Sequence, residues 1–233
     1  MALDPVSALV HWMDERLVIV DKPSGMLTLP DGYDREKPHL RSLLEPEVGR
    51  IWIVHRLDKD TSGLIVLARD AEAHRHLNGQ FERGEVAKTY LAVVQSIPVW
   101  ETQELAWRLR VDGDRRHRTV IDPHRGKPAR TICRRLRAGN GLALLEIKPQ
   151  TGRTHQIRAH LSAAGHPILG DRLYAGQPEH TDGRLGRMAL HASGLEFRHP
   201  GTDKALAFEL PLPEDMAQLI PGVAPSRQQR GSH

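Results

Sequence analysis

The chain has 233 residues, 39% of them hydrophobic, which is enough to bury a sizeable core as one large domain or two closely packed halves and too little for a many-domain assembly. Its one cysteine, Cys133, excludes an internal disulfide and a paired thiolate metal site, so a reducing, cytoplasmic setting is expected. Lys and Arg number 33 against 29 Asp and Glu, a net charge of +4, and with no apolar run near the roughly 18 residues of a membrane span, no membrane insertion is expected.

Residues 1–16 read as a lead-in, without the basic start and apolar stretch of a secretory leader. Leu17-Val18-Ile19-Val20 is a β-branched run ended by Asp21-Lys22-Pro23-Ser24-Gly25, a strand that delivers a turn and places Lys22 at its end. A second strand, Ile51 to Val54, runs into His55-Arg56-Leu57-Asp58. After Thr61-Ser62-Gly63 the apolar run Leu64 to Ala68 reads as a buried strand. Asp70 is placed to cap a helix through about Arg83, with Ala73, Leu77 and Phe81 on its inner face and Gly84 as its stop. Lys88 to Val94 is the next strand.

From Arg108 to Arg137 there are eleven Lys or Arg against three Asp, an excess of eight, so the rest of the chain is net acidic. Gly113, Pro123, Gly126 and Pro128 favour turns, and an exposed hairpin or loop is expected there. Concentrated guanidinium groups suit phosphate contact, and Arg115, Arg116 and Arg118 are the candidate phosphate contacts; a solvated charged loop is the plain alternative. Leu142 to Ile147 is a further strand, followed by a turn at Pro149 to Gly152. A helix beginning near Thr154 carries Ile157, Leu161 and Ala164 on one face and His155, Arg158 and Ser162 on another. Strand-like pieces at Met188 to Phe197 and Ala205 to Leu210 close the core, and residues 213–233 are expected to lack order. Strands outnumber helices without a βαβ rhythm, so the expected class is α+β with a mostly antiparallel mixed sheet flanked by helices and loops.

The segment His55 to Gly63 packs two carboxylates, several basic or titratable groups and two hydroxyls between apolar strands, a poor choice for core stability alone and hence a candidate site. The order His-Arg-Leu-Asp, with no glycine-rich loop before it and no Asp-Phe-Gly after, argues against phosphoryl transfer. Fourteen histidines include no pair at ligand spacing: His74 and His76 are two apart, His155 and His160 five. No metal site is expected. Ser24 and Ser62 do not form a Gly-x-Ser-x-Gly elbow.

Four stretches occur in a familiar order: Val20 to Gly25; His55-Arg56-Leu57-Asp58 with Thr61-Ser62-Gly63; Lys88-Thr89-Tyr90; and Thr151 to His160 continuing through Gly165-His166-Pro167-Ile168-Leu169-Gly170-Asp171. Together they resemble the RluA family of RNA pseudouridine synthases over about Leu17 to Leu210. The resemblance implies a single catalytic domain over 17–212 with the pseudouridine synthase fold and a central catalytic cleft. It makes Asp58 the essential carboxylate, Tyr90 the active-site phenol, Arg158 the partner of Asp58, and Arg56 the residue that fills the space of a flipped nucleotide. Lys22, His55, Arg153, His155 and Gln156 become candidate RNA contacts. The Thr151–Thr154 turn opens a helix whose free N–H groups suit a phosphate.

The implied reaction turns uridine into pseudouridine without redox change, so no cofactor is expected. The RNA would be a stem-loop of rRNA or of a tRNA anticodon arm, and the enzyme a monomer. The early start of the catalytic region and Gly126-Lys127-Pro128-Ala129 point to the small, dual-specificity type without an S4 domain. A tRNA-only (TruC) type and a noncatalytic RNA-binding protein of the same fold are the alternatives.

Overall fold

Residues 7–30, 34, 36–175 and 185–222 are described by the structure, a computed structural model. In chain order they form β1 (Val10–Met13), β2 (Leu17–Lys22), α1 (Leu40–Val48), β3 (Trp52–Ile53), β4 (Ser62–Ala68), α2 (Ala71–Arg83), β5 (Ala87–Gln95), β6 (Thr102–Leu105), β7 (Leu109–Arg110), β8 (Val120–Ile121), β9 (Thr131–Gly139), β10 (Leu142–Pro149), α3 (Gln156–Ala163), β11 (Leu190–Arg198), β12 (Ala205–Glu209) and α4 (Glu214–Ala217). The class is α+β and its pairings are mostly antiparallel, as the sequence predicts. Among the described residues no helix is long and apolar enough to cross a membrane.

The chain divides into two compact units, Met1–Lys88 with Gly194–Glu209 and Thr89–Ser193 with Leu210–His233. The boundaries at Lys88/Thr89 and Ser193/Gly194 fall inside β5 and β11, and the third, Glu209/Leu210, at the end of β12. The first two lie within continuous strands, so no Pro- and Gly-rich linker marks the division in the sequence.

In the first unit β2 and β4 pair antiparallel from Leu17↔Ala68 to Lys22↔Gly63, and every residue of β4 is buried. The lead-in supplies β1 to the edge of β2, with a bulge between Val10 and Trp12. Asp70 caps α2 by accepting from Glu72 N and Ala73 N, both at 2.8 Å, and Gly84 ends it in the left-handed conformation. The inner face differs at one place: Phe81 is only half-buried and Gln80 takes the deeper position. The Gln80 amide accepts from Arg198 N and donates to Arg198 O, both at 2.7 Å, completing a strand end as a backbone amide would. The sequence patterns did not indicate α1. Its start is a capping box in which His39 Nδ1 accepts from Ser42 N and Ser42 Oγ accepts from His39 N.

In the second unit β10 lies between β5 and β9, with Tyr90 opposite Ile147 and Ile147 opposite Cys133, and β6 extends the sheet beyond β9. Ile157 and Leu161 of α3 pack on this sheet in the main core. Two expectations need correction here. The basic segment is a hairpin only at β7 and β8, because Thr131 to Gly139 is a strand, with a register shift against β10 at Leu136, that has Thr131 and Cys133 buried and Arg134 and Arg137 exposed; the turn residues all precede it. And the tail is ordered from 213 to 222: α4 brings Met216 and Ala217 into the core with Leu212, Leu219 and Ile220, an apolar stripe at helical spacing hidden among prolines. Arg187 fastens α4 through both oxygens of Asp215, at 2.7 and 2.8 Å. Residues 223–233 and 1–6 lie outside the described residues.

Candidate active site

Asp58 sits in the loop between β3 and β4, and the turn after β2 holds that loop by its carbonyls. Thr28 Oγ1 donates to Leu57 O at 3.0 Å and Ser24 Oγ donates to Asp60 O at 2.7 Å. Lys59 O accepts from Gly25 N at 2.9 Å and from Lys22 Nζ at 3.1 Å, while Asp58 O accepts from Thr61 N at 3.1 Å. Each carbonyl from 57 to 60 is thereby tied, which fixes the backbone under the half-buried Asp58 side chain. Gly25 reaches its place at φ +87, a conformation costly for other residues.

Lys22, expected to meet RNA, does something else. It is fully buried, and its ammonium also donates to Pro23 O at 3.0 Å and Met26 O at 2.9 Å. Burial pushes its pKa down to about 8 against the opposing pull of Asp60, Asp58 and Asp21. Lys22 is a brace for the loop carrying Asp58, not a phosphate contact. His55 is a second brace. Its Nε2 accepts from Val66 N at 3.1 Å, so Nδ1 carries the proton, and its ring stacks on Phe81 with 4.6 Å between centroids. Burial and the charge of Lys88 push its pKa down to about 3, so His55 is neutral at physiological pH and offers no cation to RNA. Arg56 is exposed.

In the second unit the polar face of α3 converges on Tyr174. His155 Nδ1 lies 3.2 Å from Tyr174 Oη, the Arg158 guanidinium lies 4.9 Å from the ring centroid, and Ser162 Oγ donates to Tyr174 O at 3.0 Å. These are the three residues that helical spacing places on one face. Arg158 also grips Asp171, Nε to Oδ2 at 2.7 Å and Nη2 to Oδ1 at 2.8 Å, with side chains 8% and 0% exposed. Asp171 is aimed by Gly170, whose φ of +75 and 2.1 Å approach of a would-be Cβ to Arg187 O admit no side chain. Tyr174 Oη accepts from Thr119 N at 2.8 Å, so the end of the basic loop is tied to the start of α3. Asp171 and Tyr174 were missed as site residues because nothing local links them to Arg158.

Gln156 is also corrected. It is 4% exposed, its Nε2 donates to Arg130 O and Thr131 Oγ1, and its Oε1 accepts from Thr151 Oγ1 and Arg153 N. All its polar capacity goes into joining the Thr151–Thr154 turn to the start of β9, which leaves none for RNA. Arg153 is half-buried, with Nε donating to Pro128 O at 3.2 Å. His155 precedes α3 in the left-handed conformation, φ 52. Tyr90 is half-buried on β5 against the core of its unit. Of the loop arginines, Arg118 is bound to Asp114 at 2.7 Å and shapes the loop, Arg116 lies exposed with Nη2 donating to Arg172 O, and Arg115 is exposed. Asp58, Lys22, His55 and Arg56 thus belong to the first unit, and Tyr90, Arg158 and the remaining candidates to the second. Among the described residues no group of three or more His, Cys, Asp or Glu is placed to hold a metal ion.

Residues 16–163 match the family model described as RNA pseudouridylate synthase, a span containing Asp58, Tyr90 and Arg158. A dual-specificity RNA pseudouridine synthase RluA of Pasteurella multocida is 39% identical over 209 residues, 89% of this chain and 94% of that protein. A ribosomal large subunit pseudouridine synthase D of Nitrosomonas europaea is 39% identical over 229 residues, covering 90% of this chain but only 63% of that longer protein. Among solved structures, human RNA Pseudouridylate Synthase Domain Containing 1 superposes with a TM-score of 0.73 at 27% identity, over 91% of this chain and 86% of that one. With well over half its length in the family model and a relative this similar along nearly all of it, the chain belongs to the RNA pseudouridylate synthase family, in its RluA group.

Proposed function

We propose that the chain isomerises uridine to pseudouridine in RNA stem-loops of the dual-specificity type, rRNA and tRNA anticodon arms, as a cytoplasmic monomer without metal or organic cofactor. The observation that carries this reading is the pinned loop of Asp58 inside the family match: a carboxylate on a backbone held at four successive carbonyls is built for position rather than for stability.

In the reaction the bond from N1 to C1′ breaks, the base turns, and C5 bonds to C1′; C5 loses its proton and N1 gains one. Asp58 acts in its ionised form, by attack on C1′ or C6 or by removing the C2′ proton. Arg158 supports that ionised form as its partner. It also holds Asp171 through two of the five N–H donors of its guanidinium. Asp171 and the Tyr174 ring orient the guanidinium, which makes Arg158 a placed group rather than a wandering surface charge. Tyr90 stacks on the base, and its hydroxyl helps remove the C5 proton. The target is a loop uridine, because extruding it costs less than extruding one from a duplex.

The test is pseudouridine mapping of total RNA from cells with and without the gene, complemented by the wild type or by Asp58→Asn. At least one site is expected to vanish on deletion and return only with the wild type. Unchanged sites throughout would instead support a noncatalytic RNA-binding role.

A further inference from the structure

Trp107, just ahead of β7, is one of the few large apolar side chains left on the surface, 37% exposed. An indole in that condition is ordinarily a loosely held rim residue, but this one is anchored. Its carbonyl accepts from His160 Nε2 at 3.1 Å, the next carbonyl, of Arg108, accepts from Asp122 N at 2.9 Å, and Leu109 exchanges two 2.8 Å hydrogen bonds with Lys127. His160 is itself fully buried, with Nδ1 2.9 Å from Thr131 Oγ1, and its ring stands at 90° to the indole with 5.9 Å between centroids. The anchoring depends on Gly126, where a Cβ would meet Arg108 C at 2.7 Å and Leu109 N at 2.8 Å.

The charges around it divide in two. Arg110, Arg118 and Arg130 are held by Asp122, Asp114 and Glu104. Arg108, Arg125 and Lys127 are exposed and, among the described residues, form no ion pair. Two of these three lie close to Trp107 along the backbone: Arg108 follows it in sequence, and Lys127 is bridged to Leu109, two residues on. An exposed aromatic ring on a fixed backbone, in a segment that carries uncommitted cations, is the arrangement that binds single-stranded nucleic acid, the ring taking a base and the cations nearby phosphates. An apolar protein partner would meet those unpaired charges at a desolvation cost.

We propose that Trp107 is a stacking platform for an unpaired base of the bound RNA, with Arg108 and Lys127 on the adjoining phosphates. The inference rests on the reading that the substrate is RNA. It adds a base subsite outside the reacting uridine, which would help to select the loop presented to Asp58.

The test uses the full chain and a synthetic RNA hairpin of tRNA anticodon-arm sequence, intact or with one loop base at a time replaced by an abasic nucleotide. Trp107→Ala is expected to weaken binding of the intact hairpin about tenfold, and Trp107→Phe, which keeps an aromatic face, by much less. One abasic position should weaken binding to the wild type but not to Trp107→Ala, the mark of a missing stack. Arg108→Gln with Lys127→Gln should reduce the salt slope by about one to two units. Trp107→Ala binding within about twofold of the wild type, or abasic effects of equal size in both proteins, would overturn the proposal. Pseudouridine formation by the wild type is scored in parallel. Isomerisation with normal Trp107→Ala binding defeats only the platform, whereas stacking without isomerisation defeats only the catalytic reading.

Discussion

The interaction that best separates a directed arginine from a surface charge is the pair Arg158 and Asp171, and Asp171→Asn is the smallest change that breaks it. The Asp171 side chain is fully buried and its Oδ1 also accepts from Leu173 N at 3.0 Å and Tyr174 N at 3.2 Å. An asparagine carbonyl placed at Oδ1 keeps those two bonds and the one from Nη2. The amide then faces Arg158 Nε, donor against donor, and the guanidinium charge loses its partner. Breaking one side of a buried pair costs about 3–5 kcal/mol, which for a chain of this size lowers the melting temperature by roughly 6–20 °C. Circular dichroism melts at neutral pH measure it. Arg158→Met combined with Asp171→Asn removes the stranded guanidinium while keeping the Oδ1 acceptor for Leu173 N and Tyr174 N, so it should melt above the single Asn variant, yet stay inactive if Asp58 depends on Arg158. An Asn variant melting within about 2 °C of the wild type would refute the reasoning, since it would mean less than about 1 kcal/mol in the pair.

Tyr90→Phe keeps the ring and loses the hydroxyl, so single-turnover product formation on a mapped RNA should fall by about 100-fold with little change in affinity; near-normal turnover would make Tyr90 a packing residue only. His55 stays neutral in the folded state down to about pH 3, while its unfolded-state pKa is near 6.5. Between those values the unfolded chain binds a proton that the folded chain does not, so stability falls as pH drops through that window. Urea titrations across a pH series should show His55→Gln losing up to one proton of that dependence, with the part due to His191, pushed down to about 4, left in place; unchanged slopes would count against it. Arg115→Gln with Arg116→Gln should weaken RNA binding and flatten its salt dependence by about one unit of slope for each phosphate no longer held, whereas an unaltered salt series would place the RNA elsewhere.

The parts legible in the sequence are those fixed by local rules. The β2 and β4 strands follow from short apolar runs, α2 from an Asp cap, an apolar stripe and a Gly stop, and the polar face of α3 from helical spacing. The candidate loop stands out because polar residues rarely interrupt two apolar strands without a use. What stays hidden depends on partners distant in the chain. Whether a lysine at a strand end meets phosphate or three carbonyls depends on the turn after it and on where Lys59 returns, and the donors of the Gln156 amide are consumed by Arg130 O and Thr131 Oγ1 at the start of β9. Prolines mislead around α4 by suggesting irregular chain, and Pro46 lies inside α1, which no sequence pattern indicated. The arginines of β9 conceal a strand because its buried face is contributed by Thr131 and Cys133, small residues with little hydrophobic signature.

The most direct test of the central claim is tritium release from RNA labelled at uridine C5, under single-turnover conditions, by the wild type and by Asp58→Asn. Forming the new bond at C5 must expel its hydrogen, so the wild type should release tritium in step with pseudouridine. Asp58→Asn should release none above background while binding RNA within about threefold of the wild type, since the amide keeps the shape but is neither nucleophile nor base. Release by Asp58→Asn at more than a few per cent of the wild-type rate, or none by the wild type on any RNA of the cell, would contradict the account.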